Sequence, residues 1–192
     1  MRYPPGHKEQ TRARIVEAAG RVFRRVGYGA AGLDKVMEEA GLTVGGFYAH
    51  FDSKQALLAE VLARAADGAG VRLPEGLGDL PADEWLDGFL GKYLSMAHRG
   101  RIEEGCPLAA LVSEVSRTPE AVRSGSEAIV RELAAKLASH GAGGEGRAFA
   151  ALALCVGGLG LARAVEDEAM AAKILDECRS AARAILADPA SE

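Results

Sequence analysis

Cysteine, aromatic residues and long apolar runs are all scarce in this chain, and each shortage closes off a class of protein. Only Cys106, Cys155 and Cys178 occur in 192 residues. An odd, widely spaced set with no signal peptide before it does not read as a secreted disulfide framework, so a reducing cytoplasm is expected. No Cys-x-x-Cys pair is present to bind zinc, and neither a metal nor a cofactor is expected. The most apolar stretch, Ala148 to Ala162, counts 15 residues between Arg147 and Arg163. That is short of the roughly 20 needed to cross a bilayer, so no membrane partner is expected. β-Branched runs with period-two alternation are also missing, which leaves no sheet to place. The net charge of −4 is too small to identify a partner by itself.

What the chain does have is 48% hydrophobic residues, enough for a sizeable core, recurring at helical spacing nearly throughout. The predicted fold is all-α. Charge is unevenly spread: residues 1–54 hold nine Lys/Arg against six Asp/Glu, whereas the remainder holds 14 against 21. A basic end therefore precedes an acidic body, which suggests two jobs.

After a Pro4-Pro5-Gly6 arm, Ile15, Val16, Ala19, Val22, Phe23 and Val26 form the core stripe of a first helix that stops at Gly27. Leu33, Val36, Met37 and Ala40 make a short second helix ended by Gly41. Thr43 is placed to cap a third helix that carries Val44, Phe47 and Phe51 inward. Asp52 and Ser53 offer capping oxygens to a fourth, buried through Leu57, Leu58, Val61 and Leu62. The stretch 68–81, with four glycines and two prolines, reads as a flexible connection. Beyond it, Trp85, Leu86, Phe89, Leu90, Tyr93 and Leu94 describe a helix with an aromatic face. Pro107 and Pro119 open helices over about 107–117 and 119–140, a glycine loop spans 141–146, and helices over about 146–166 and 168–187 follow.

A helix, a short glycine-containing turn and a second helix, packed on a third, is the geometry that lets one helix enter a DNA major groove. Residues 33–51 have that layout, although many helical cores contain short antiparallel helices. The outward side of the third helix carries Thr43, Gly45, Gly46, Tyr48, Ala49 and His50, mostly small groups that permit close approach to phosphates or base edges.

The residues Gly27-Tyr28, Leu33-Asp34-x-Val36 and Ala40-Gly41-Leu42-Thr43-Val44-Gly45-Gly46-Phe47-Tyr48-x-His50-Phe51-x-Ser53-Lys54-x-x-Leu57-Leu58 resemble the TetR family of one-component transcriptional regulators. The likeness covers about a quarter of the chain. It implies an N-terminal three-helix DNA-binding unit over 1–54, and a helical effector-binding and dimerisation domain over 55–192 that includes a linking fourth helix. It also implies a homodimer on a palindromic double-stranded operator, and repression relieved by a small molecule. Position by position, Thr43 resembles the family's helix cap and phosphate contact, Gly46, Tyr48 and His50 fall on its recognition helix, and Lys54 matches its backbone-contacting lysine. Val44 stands where a lysine is common, and Ala31-Gly32 replaces the usual hydroxyl pair, so backbone affinity is expected to be reduced. Lys8, Arg12 and Arg14 either supply phosphate contacts instead or form a solvated charged face. Tyr48 either meets DNA or fills the small core; His50 either bonds a phosphate or pins the third helix to the first.

In the body, Trp85, Phe89, Tyr93 and Met96 on one helix, with Leu108, Leu111 and Val112 on the next, either enclose an apolar effector cavity or are plain core. Cys106 sits at the N-cap that Pro107 creates, where unpaired amides favour a thiolate; Glu103 and Glu104 oppose that and Arg99 or Arg101 support it. The run Gly105-Cys106-x-Leu108-x-x-Leu111-x-x-Glu114-Val115 resembles a TetR subgroup in which some members sense electrophiles at this cysteine. Cys155 and Cys178 are expected to be inert. Leu154, Gly157, Gly158 and Leu161 mark a nearly all-apolar helix expected at the dimer interface.

Two other readings compete. One is a helical thiol-dependent oxidoreductase using Cys106, but no resolving Cys-x-x-Cys and no Gly-x-Ser-x-Gly accompany it. The other is a ligand carrier whose helix-turn-helix is only structural. The formal Gly-x-Gly-x-x-Gly at 141–146 follows a helix rather than a strand and reads as a loop. No catalytic residue is assigned.

Overall fold

Residues 6–66, 77–78 and 80–187 are described by the computed structural model. The first helix, α1 (His7–Val26), buries Ile15, Val16, Ala19, Val22 and Phe23 of the stripe its periodicity marks, whereas Val26, the last residue of the helix, is exposed. It ends where Gly27 adopts φ 82° and returns its N–H to the Phe23 carbonyl at 2.9 Å, a left-handed ending that a side chain would strain. Helix α2 (Leu33–Glu39) stops before Gly41, at φ 66°.

The third element is a 3-10 helix, η1 (Val44–Ala49), and not the α-helix expected. Gly45 and Gly46 lower helix propensity in a six-residue segment, and the tighter winding is used in such short pieces. Phe47 and Phe51 point inward and stack at 5.7 Å, but Val44 turns out to solvent at 46% exposure, which corrects its inward placement. Ser53 caps α3 (Lys54–Arg64), accepting the Ala56 N–H at 3.0 Å, and Leu57, Leu58, Val61 and Leu62 are buried.

Helix α4 (Ala82–Tyr93) ends one residue before Leu94, whose ψ of 69° leaves the helix. Ser95 then starts a separate short helix, α5 (Met96–Gly100), by accepting the His98 N–H at 3.1 Å. Pro107 opens α6 (Pro107–Val115), and α7 (Glu120–His140), α8 (Gly144–Ala164) and α9 (Glu168–Ala187) complete the body. The expected connection over 68–81 falls mostly on 67–76 and 79, outside the described residues, as does most of the N-terminal arm.

Helix α8 has 21 residues and, by length and composition, suffices to cross a membrane, because the residues flanking the 15-residue apolar stretch add to its length. Gly144 and Gly146, assigned to a loop, belong to its first turn. Its inward side packs on α7 and α9. The α8–α9 contact depends on Gly158, since a Cβ there would lie 2.7 Å from Cys178 Sγ. The α3–α7 contact depends in the same way on Gly125, whose Cβ would lie 2.9 Å from Leu62 Cβ. The second of these fastens α3, the helix that follows the three-helix head, to the body.

Candidate nucleic-acid interface

The outer surface of η1 presents Thr43, Val44, Gly45, Tyr48 and Ala49 to solvent, with Gly46 and His50 half-buried at its margin. Tyr48 is 68% exposed and meets the core only through an edge contact with Phe47 at 5.1 Å. It therefore does not fill the core. Thr43 holds the N-cap position with extended backbone, yet its hydroxyl makes no capping hydrogen bond, and the cap expected of it is absent. The Gly46 N–H bonds the Thr43 carbonyl instead, at 3.0 Å.

Arg12 and Arg14 of α1 are committed internally, whereas Lys8 is exposed. The Arg12 guanidinium donates to the His50 carbonyl, pairs with Glu60 and lies 4.0 Å from the centre of the Phe51 ring. Arg14 donates to the Ala40 carbonyl at 2.7 Å, at the end of α2. Both thus hold the three-helix unit together. His50 Nδ1 is buried with no hydrogen-bond partner; burial first, then Lys8, Arg12 and His7, push its pKa down, so the ring is mainly neutral near pH 7. It is Arg12, using the His50 carbonyl, that pins η1 to α1.

Lys54, at the first position of α3, sits 4.4 Å from the Tyr28 ring centre and 3.4 Å from the Gly29 carbonyl. Burial lowers its pKa while Glu114 raises it. Glu114, on α6, was not assigned any role from the sequence. Its carboxylate accepts the N–H groups of Tyr28 at 2.6 Å and Gly29 at 3.0 Å. Eighty-five residues separate Gly29 from Glu114, beyond the reach of any local pattern. Arg24 and Arg25 add contacts from α1 to the Glu103 carbonyl and carboxylate at 2.6 and 2.8 Å.

In the body, Trp85, Phe89, Tyr93, Cys106 and Leu111 are all at most 5% exposed. Trp85 stacks on His140 at 3.9 Å and on Phe89 at 5.2 Å, and Phe89 meets Tyr93 at 5.6 Å, so the aromatic ladder packs on itself. Met96 departs from this set: it belongs to α5, is 38% exposed and does not share the α4 face, because the chain breaks at Leu94–Ser95. Val112 is likewise exposed, at 49%. An open groove of about 510 Å³ lies instead between α3 and α7, lined by Ala56, Ala59, Glu60, Ala63, Gly125 and their neighbours.

Cys106 occupies the N-cap of α6 as expected, but its thiol is pushed up, not down. Burial is the largest cause, and it outweighs the Tyr93 hydroxyl, the Leu108 and Ala109 amides and Arg163, which all pull the other way. Arg99 and Glu103, two of the charges expected to tune it, are engaged elsewhere. Arg99 donates to the Ala162 and Val165 carbonyls at 2.7 and 2.8 Å, closing the end of α8, and Glu103 faces α1. The Tyr93 hydroxyl faces the thiol, and Arg163 Nη1 is enclosed in the same region without a hydrogen-bond partner. Cys155 is buried and its pKa is raised to about 12, as befits an inert thiol.

On α8, Leu161 is 60% exposed, Gly157 faces open space and Leu154 is half-buried, so these three lie on the outward side. Gly158 does not join them. It is buried against Cys178 and Leu94 of the same chain, a role inside the subunit that corrects its assignment to the outer face.

Residues 15–61 match the bacterial regulatory proteins of the tetR family. The HTH-type transcriptional regulator SrpR of Pseudomonas putida is 46% identical over 55 residues, covering 29% of this chain and 26% of SrpR. The HTH-type transcriptional activator FasR of Mycolicibacterium smegmatis is 39% identical over 67 residues, 34% of this chain and 31% of FasR. The chain thus aligns with well under half the length of these curated relatives. Over the whole fold it is similar to the reduced form of Escherichia coli NemR, with TM-score 0.74, 23% identity, and 95% and 100% of the two chains covered. It is also similar to a TetR-family regulator from Cytophaga hutchinsonii, with TM-score 0.75, 20% identity, and 97% and 100% covered. Residues 15–61 are thus similar to the tetR family of bacterial regulatory proteins, and the chain as a whole has the fold of these solved TetR-family regulators.

Proposed function

We propose that the protein is a homodimeric repressor that binds a palindromic operator through the outer face of η1 and leaves it when a small effector occupies the body. The head, residues 1–54, reads DNA; residues 55–192 bind the effector and pair the subunits. The observation that carries this reading is the exposure of Tyr48 beside Thr43, Val44 and Gly45, on an element whose other side is anchored by Phe47 and Phe51. Exposed small residues let the backbone approach a phosphate, and a phenol at their edge reaches a phosphate or base. Gly46 and His50 lie half-buried at the margin of that face, and Lys54 opens the next helix, α3.

Leu154, Gly157 and Leu161 leave an apolar stripe on α8 that a second copy covers, and a two-fold dimer spaces two η1 faces about one DNA turn, ~34–36 Å, apart. The effector is small and apolar or electrophilic, received among Trp85, Phe89, Tyr93, Leu111 and Cys106. It works by favouring a conformation in which the η1 faces no longer match the operator.

The test is selection of bound fragments from the host's genomic DNA, followed by titration of the recovered duplex at several salt concentrations. Affinity is expected to fall steeply with salt, and Lys54→Ala to weaken operator and random DNA alike while reducing the salt slope by about one. Failure to bind any genomic fragment at low ionic strength, by a protein that elutes as a monomer, overturns the reading.

A further inference from the structure

The turn that ends α1 is built as a receptor for a carboxylate. Gly27 and Gly29 flank Tyr28, and a Cβ on Gly27 would lie 3.2 Å from Glu114 Oε1, one on Gly29 3.3 Å from the same oxygen. The glycines leave the carboxylate room to receive two successive N–H groups, Tyr28 on Oε2 and Gly29 on Oε1. Hydrogen bonds to an ionised acceptor are among the stronger ones, and a pair of them fixes direction as well as distance. Glu114 is itself held firmly, since Leu111 and Val115 on the same helix are buried in the body.

The other side of this turn holds Lys54. The Tyr28 ring packs on Phe23 at 5.4 Å with its face toward the Lys54 ammonium, and the Gly29 carbonyl faces the same group. The chain of contacts runs from a rigid body helix, through two backbone amides, to the cation at the start of α3.

We infer that Glu114 is a positioning residue for DNA binding: its carboxylate sets the Gly27–Gly29 turn, and the turn aims Lys54 at the DNA backbone. This rests on the DNA-binding reading above and adds a residue outside the head that the interface requires. Glu114 touches no DNA in this scheme and acts only through the turn.

The test uses the full-length protein, the duplex recovered by genomic selection and a random duplex of equal length. Glu114→Ala is expected to weaken operator binding about tenfold, as loss of a paired charge-assisted contact does, and to speed hydrogen exchange at the Gly29 amide. Glu114→Gln, which keeps one acceptor oxygen, is expected to fall between Glu114→Ala and the wild type, and it carries the test if the alanine variant does not fold. Glu114→Ala made on top of Lys54→Ala is expected to add less than about a threefold loss, because both changes act on one contact. A merely structural role would give losses that multiply, and that outcome overturns the inference. So does operator binding by both single Glu114 variants at wild-type strength. If the wild type itself binds no duplex, the DNA-binding reading falls first; wild-type binding with unaffected variants removes Glu114 alone.

Discussion

Arg12 is the residue on which the N-terminal unit turns, and replacing it distinguishes a clamp from a DNA contact. Its guanidinium makes three kinds of contact: a donor to the His50 carbonyl, an ion pair with Glu60 and a cation over Phe51. A hydrogen bond from a charged donor contributes about 1.5–3 kcal/mol. The ion pair adds only ~0.5–1, because the two side chains are 41% and 29% exposed and water screens them. The ring contact contributes a further ~0.5–1 kcal/mol. These contacts share one group and do not add fully, so Arg12→Ala should cost about 2–3 kcal/mol, a fall of roughly 4–12 °C in melting temperature for a chain of this size. Thermal unfolding followed by circular dichroism reads this directly. Arg12→Lys keeps the charge but loses the planar fork, so it should recover less than half of the loss. A melting temperature within about 1 °C of the wild type for Arg12→Ala would refute the clamp. Full recovery of operator affinity and salt slope by Arg12→Lys, with stability unchanged throughout, would make Arg12 a phosphate contact instead.

Two further outcomes follow from buried groups. His98 Nδ1 faces the Tyr93 carbonyl at 2.7 Å and Nε2 faces the Cys106 N–H at 3.3 Å, an arrangement that suits the neutral ring; burial, and then Arg163, hold its pKa below the ordinary 6.5. The unfolded chain therefore binds the proton more readily, so stability falls as pH drops below 6.5 and levels off beneath the folded-state value. Urea midpoints of His98→Gln should depend on pH less steeply than those of the wild type in that window, and parallel curves would count against the assignment. On α8, Gly158→Ala forces a Cβ to 2.7 Å from Cys178 Sγ and should cost about 1–3 kcal/mol. Gly157→Ala meets open space and should leave the stability of the isolated subunit unchanged or raise it by ~0.5–1 kcal/mol. Equal losses for the two glycines would show that the outward and inward sides of α8 are misassigned.

The sequence alone determined most of the helices and the family resemblance, though not the 3-10 winding of η1 or the separate α5. Apolar spacing in α1, glycine at 27 and 41, and proline at 107 are local signals, because helix faces and helix ends depend on neighbours within four residues. Helix α9 appears over the residues its periodicity marks. Tertiary structure alone decided how the functional groups are used. Arg12 and Arg14 are drawn inward by carbonyls of His50 and Ala40, burial raises the Cys106 thiol despite its N-cap position, Gly158 turns toward Cys178, and Glu114 reaches across to the Tyr28 and Gly29 amides. Each of these depends on partners 20 to 86 residues apart, or on water excluded by several helices at once. A periodic pattern records which side of a helix is dry, but which charge, amide or thiol waits on the far side is set only when the helices meet.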